Sequence, residues 1–96
     1  MNEIKLFYEN GEEIEDLITF KPIQAGKSET KTIDIKNTTK YNLTTNIIIK
    51  GDINKEENQE IKPNATIPLN IEIQTDKKAN KPIKAEIIIK IEYTIR

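Results

Sequence analysis

The sequence has no cysteine, no histidine and no tryptophan; valine is also absent, and Ser28 is the only serine. Each absence closes a class of chemistry. Without cysteine there is no disulfide and no thiolate ligand for zinc. Without histidine or cysteine, neither a Ser-His-Asp nor a Cys-His arrangement can be assembled, and Ser28 has no imidazole to activate it. Hydrolytic zinc held by histidine is excluded on the same ground. The glycines, Gly11, Gly26 and Gly51, stand far apart, so no glycine-rich phosphate cradle forms. Gly26-Lys27-Ser28 matches the end of a P-loop, but Lys21 stands where the first glycine belongs and no helical pattern follows. It reads as a turn, with Gly26 at a left-handed position.

An excess of charge of one sign is missing too. Lys plus Arg is 15 and Asp plus Glu is 16, for a net charge of -1. No basic stripe exists to draw in nucleic acid or an anionic membrane. Apolar runs such as Leu6-Phe7-Tyr8 and Ile87-Ile88-Ile89 are far shorter than the roughly 20 residues a spanning helix needs. Met1-Asn2-Glu3-Ile4-Lys5 is not a basic segment leading into an apolar run. The expectation is a chain made in the cytoplasm without a signal peptide.

What is present favours strands. The 96 residues suit one domain. Isoleucine dominates the apolar set and threonine is frequent, and branching at Cβ suits the pleated, half-buried surface of a sheet. Alanine and leucine are scarce, so helix propensity is weak in any window.

Period-two alternation is clearest at the end of the chain. Ile83, Ala85, Ile87, Ile89, Ile91, Tyr93 and Ile95 alternate with Lys84, Glu86, Ile88, Lys90, Glu92, Thr94 and Arg96. At roughly 3.3 Å per residue this strand would run about 43 Å, long enough to imply a bend, a bulge or an overhanging end. Ile67, Leu69, Ile71 and Ile73 alternate in the same way, after which Thr75–Pro82 is a polar connection. Pro68 lacks an N–H and places this strand at an edge or near its start. Thr30–Asn37 and Leu43–Lys50 read as two further strands, joined by a turn over residues 37–42. Residues 53–58 are charged and amide-rich and read as a loop. Glu60-Ile61-Lys62 is a short strand running into a turn at Pro63-Asn64. In the first third, Ile4, Leu6 and Tyr8 mark a strand, Glu9-Asn10-Gly11 a turn, residues 12–17 an acidic loop or one helical turn, and Ile18–Ile23 another strand. Six or seven strands with no helix predict an all-β antiparallel sandwich or small barrel, and the one-face-apolar alternation favours the sandwich. A core at residues 18–96 is preceded by an N-terminal strand and acidic loop at 1–17.

The block Ala25-Gly26-Lys27-Ser28 followed by Thr32-Ile33-Asp34-Ile35-Lys36-Asn37 resembles the opening of immunoglobulin-like domains of the CARDB and major-sperm-protein-like type. Ile61-Lys62-Pro63-Asn64-Ala65-Thr66 followed by Leu69–Ile73 is similar to their Pro-Gly turn and next strand, with Asn64 where glycine is usual. Ile87–Tyr93 is similar to their final strand. The resemblance covers residues 18 to the end. It implies an immunoglobulin-like sandwich of about seven strands, a module that also occurs in bacteriophage virion proteins.

The remaining chemistry is thin. Glu12, Glu13, Glu15 and Asp16 form one acidic cluster, and Asp52, Glu56 and Glu57 another. Neither comes with the aromatic platform that paired glycosidase carboxylates use, and neither has the alternating spacing of a calcium loop. Both read as solvated loops, with a weak calcium site as the alternative. Asn-x-Thr triplets begin at Asn37, Asn42 and Asn64, as expected by chance where Asn and Thr are common. No catalytic, cofactor or metal residue is expected.

What is left is a surface that binds protein. An exposed sheet edge can accept a strand from a neighbour, and the long final strand is the candidate. Its outer set, Lys84, Glu86, Ile88, Lys90 and Glu92, forms the candidate interface, with Ile88 interrupting an otherwise polar face. The expectation is a non-catalytic assembly module, a tail, neck or capsid-decoration component of a phage or prophage virion, working through protein contacts, self-association or strand addition. A cell-surface or carbohydrate-binding module is the alternative, disfavoured by an aromatic content of 5%.

Overall fold

A computed structural model describes residues 3–24, 26–74 and 81–94. These form eight strands and no helix: β1 (Ile4–Tyr8), β2 (Glu13–Ile14), β3 (Leu17–Phe20), β4 (Ser28–Asn37), β5 (Asn42–Gly51), β6 (Lys55–Ile61), β7 (Thr66–Gln74) and β8 (Ile83–Thr94). They make two four-stranded sheets, ordered β2-β1-β4-β7 and β3-β8-β5-β6, with every pairing antiparallel. Residues 75–80, 95 and 96, on which part of the expected connection and the end of the long strand fall, lie outside the described residues.

The alternation read from the sequence fills the core. Ile33 and Ile35 of β4, Leu43, Ile47 and Ile49 of β5, and Leu69, Ile71 and Ile73 of β7 are all buried. Ile4, Leu6 and Ile14 of the N-terminal segment join the same cluster. Each sheet thus presents one apolar face to the other and wets its opposite face, as a sandwich requires.

Two segments differ from expectation. Residues 55–61, read mostly as a loop, are strand β6. Its inward positions Lys55, Glu57 and Gln59 are half-buried rather than apolar, because an edge strand needs little core contact to stay paired. Polar bonds fix its register instead: Asn46 donates from Nδ2 to Asn58 Oδ1 at 2.8 Å and to Glu56 Oε2 at 3.0 Å, and Thr45 Oγ1 donates to Gln59 O at 2.8 Å. Residues 12–17 are not simply an acidic loop. Ile14 pairs with Leu6 in the first sheet, and by Leu17 the chain has crossed to the second. Strand β3 stops at Phe20 rather than Ile23, since Pro22 has no N–H to continue the ladder. Ile23 is buried all the same.

Turns behave as their residues dictate. Asn64 has φ 59° and Gly26 φ 78°, the left-handed positions expected of them. Gly51 is required by space: a Cβ there would lie 2.7 Å from Lys84 O and 2.9 Å from Ala85 Cα. Asp52 follows it and locks the junction, donating its N–H to Lys84 O and accepting the Lys84 N–H on Oδ2, both at 2.9 Å. Pro68 sits in β7, an edge strand, as its missing donor requires.

Candidate functional site

A two-sheet sandwich has two flanks where sheet edges face each other, and here they are closed unequally. On the flank formed by β6 and β7, Lys55 crosses between the sheets and donates from Nζ to Asn70 O at 2.9 Å. On the other flank, Tyr8 of β1 accepts the Thr19 N–H of β3 on its hydroxyl at 2.9 Å. Its ring meets Phe20 edge-on at 6.1 Å. This clasp ties β3 to the first sheet, while β3 pairs with β8 only over a short run, from Phe20↔Ile83 to Leu17↔Glu86.

Strand β8 is therefore not an edge throughout, contrary to the sequence expectation. Its first residues lie between β3 and β5. From Ile87 to Thr94 it keeps β5 on one side and has no strand on the other among the described residues. The strand outruns β3 because Leu17 is where the chain enters from the first sheet. Beside this bare edge the sandwich opens into a cleft of about 450 Å³, floored by Ile4, Leu6, Ile14, Ile87 and Ile89, with Glu13, Glu15 and Asp16 at its rim. Ile87 and Ile91 point inward yet are only half-buried, and Tyr93 is 47% exposed. Tyr93 leans edge-on against Tyr41 at 5.8 Å. Partial desolvation and, after it, the charge and hydrogen bonding of the nearby Glu3 carboxylate push the Tyr93 phenol above its ordinary pKa.

Lys84, Glu86, Ile88, Lys90 and Glu92 all project from the outer face of this strand and are exposed. The structure brings them together as one row, flanked by Leu17 and Thr19 of β3 on one side and by Lys50, Ile48, Asn46 and Thr44 of β5 on the other. Ile88 is not alone. Ile48 is directly opposite and Leu17 lies diagonally across, so three apolar side chains share the outer face, Leu17 at 46% and Ile88 at 41% exposure. Sequence reasoning missed Leu17, which it placed in the acidic segment. The alternation Leu17-Ile18-Thr19-Phe20 was the available signal.

Among the described residues no group of three or more Asp, Glu, His or Cys could hold a metal ion. Asp52 and Glu56 already serve as hydrogen-bond acceptors for Lys84 N and Asn46. Gly26-Lys27-Ser28 is a turn closed by the Lys27 N–H on Gln24 O at 3.0 Å, leading into β4. Among the described residues no helix is long and apolar enough to cross a membrane. No family model, no curated protein and no solved structure matches the chain.

Proposed function

We propose that this chain is a non-catalytic assembly module that works by protein–protein contact at the open side of β8. The observation that carries the reading is the bare edge from Ile87 to Thr94, with half-covered Ile87 and Ile91 beside it. Backbone N–H and C=O groups along such an edge are a template for another strand. The apolar trio Leu17, Ile48 and Ile88 borders the same strand on its outer face and extends the surface a partner would cover. An immunoglobulin-like module is part of this proposal, supported by the crossings from β4 to β5 and from β6 to β7 between the sheets. A phage or prophage virion is the setting that the sequence resemblance suggests, and capsid or tail genes beside this one would support it.

The test is residue-resolved amide hydrogen exchange on the dilute protein. Every second amide of Ile87–Thr94 should exchange freely, while the alternating set, bonded to β5, is protected. Protection of both sets in the dilute monomer would mean that the edge is already closed, and the reading fails.

A further inference from the structure

We infer that the occupant of the open β8 edge is a second copy of the same chain, its β8 antiparallel to the first about a two-fold axis at Ile91. The inference rests on the assembly reading above and names the partner and the register.

The argument begins with face. A strand added to β8 must continue the second sheet, with its apolar set inward and its polar set outward. Pairing that is shifted by one residue would turn the inward isoleucines of one copy out to solvent. Two-fold antiparallel pairings that keep the faces aligned therefore place a single residue of β8 opposite itself. Few residues qualify. An axis at Ile88 uses little of the bare edge, because Lys90 then meets Glu86 of the second copy, a position already taken by that copy's Leu17. An axis at Ile89 sets Glu86 against Glu92, and axes at Lys90 or Glu92 set like charges directly opposite each other.

The axis at Ile91 differs in every respect. Lys90 faces Glu92 of the second copy, and Glu92 faces its Lys90, so two opposite-charge pairs form on the outer face. Both side chains are exposed, and neither has an ion pair among the described residues. On the inner face Ile91 meets its own counterpart, and Ile89 is opposite Tyr93, a β-branched residue against an aromatic one. Ile91 and Tyr93 are inward side chains that the single chain leaves incompletely covered at this end, Ile91 half-buried and Tyr93 exposed, while Ile89 is already buried. The seam runs over Ile88–Thr94 and stops short of Glu86, where β3 begins. Neither copy has to displace its own β3. The contact is isologous, and it closes on itself rather than propagating into a fibre. Backbone hydrogen bonds supply the adhesion. The exposed charge pairs select the register, since pairs in water contribute little on their own.

The test is a charge reversal with its rescue, read by sedimentation equilibrium over a concentration series up to the solubility limit. The wild-type chain should form a dimer. K90E sets two carboxylates against each other twice across the seam and should weaken the dimer by about tenfold or more. The double variant K90E/E92K restores both pairs with inverted polarity and should recover wild-type association. Circular dichroism confirms that each variant is folded, and the free amides of Ile88–Thr94 should gain protection in step with dimer formation. A wild-type chain that stays monomeric, with the edge amides free, overturns self-pairing and leaves the assembly reading with a different partner. A dimer indifferent to K90E, or a double variant that fails to recover, overturns this seam.

Discussion

Asn37 is fully buried, and its side chain uses its full bonding capacity. Its two Nδ2 hydrogens are shared among the carbonyls of Tyr41, Ile61 and Lys62, at 2.7, 3.0 and 3.1 Å from the nitrogen. Its Oδ1 accepts from the backbone N–H and the hydroxyl of Thr39 at 2.9 and 2.7 Å. One amide thus ties the β4–β5 turn to the end of β6. Asn37→Ala would take the donor from the buried Ile61 carbonyl and from the part-buried carbonyls of Tyr41 and Lys62, and leave a gap at a fully buried position. The substitution should cost about 3 kcal/mol, read from urea unfolding midpoints. Asn37→Asp should not rescue it, because a carboxylate has no hydrogens for the three carbonyls. Tyr93 offers a second residue-level test. Its raised phenol pKa means that the folded chain holds this proton more tightly than the unfolded chain does. Stability is unaffected well below the ordinary tyrosine value of about 10 and falls as pH rises through the folded value above it. Glu3→Gln should shift the Tyr93 titration back toward the ordinary value, followed by tyrosinate absorbance. Sequence reading placed Asn37 at a turn and Tyr93 on the inward face. Alternation reports which way a side chain points, but not whether anything lies above it, and so the burial of one and the exposure of the other were hidden.

At the level of elements, the strands visible in the sequence were those with two distinct faces. β4, β5, β7 and β8 each alternate because one side meets the core, and their spans follow the pattern closely. β6 alternates between half-buried and exposed polar residues, which no hydropathy pattern separates from a loop. β2 is too short to show a period. The outer row from Lys84 to Glu92 was legible for the same reason as β8 itself. Its position was not, because whether a strand is interior or bare depends on where β3 docks, a tertiary matter to which its ladder with β8, its buried Ile18 and Phe20 and the clasp at Tyr8 all contribute. That clasp can be loosened alone. Tyr8→Phe keeps the ring contact with Phe20 and removes the acceptor of the Thr19 N–H. It should cost about 1 kcal/mol and speed amide exchange at Thr19 well before the core, measured by hydrogen exchange.

For the molecule as a whole, one flank is laced between the sheets by Lys55 and the other is clasped at one end and open along the rest. The asymmetry follows from one long strand, β8, partnered by a short one. It also has a consequence in time. β8 is the spine of the second sheet, yet its two neighbours come from distant stretches of chain: residues 17–20 pair with 83–86, and residues 42–51 pair with 85–94. Ordering those loops costs entropy before any contact offsets it, so assembly of this sheet should be slow beside that of a helical domain of equal size. Until β8 arrives, β5 and β3 are themselves bare templates. The lysines and glutamates spaced along β8 then act first as guards against mispairing of a half-made sheet, and only afterwards as the surface of the finished one.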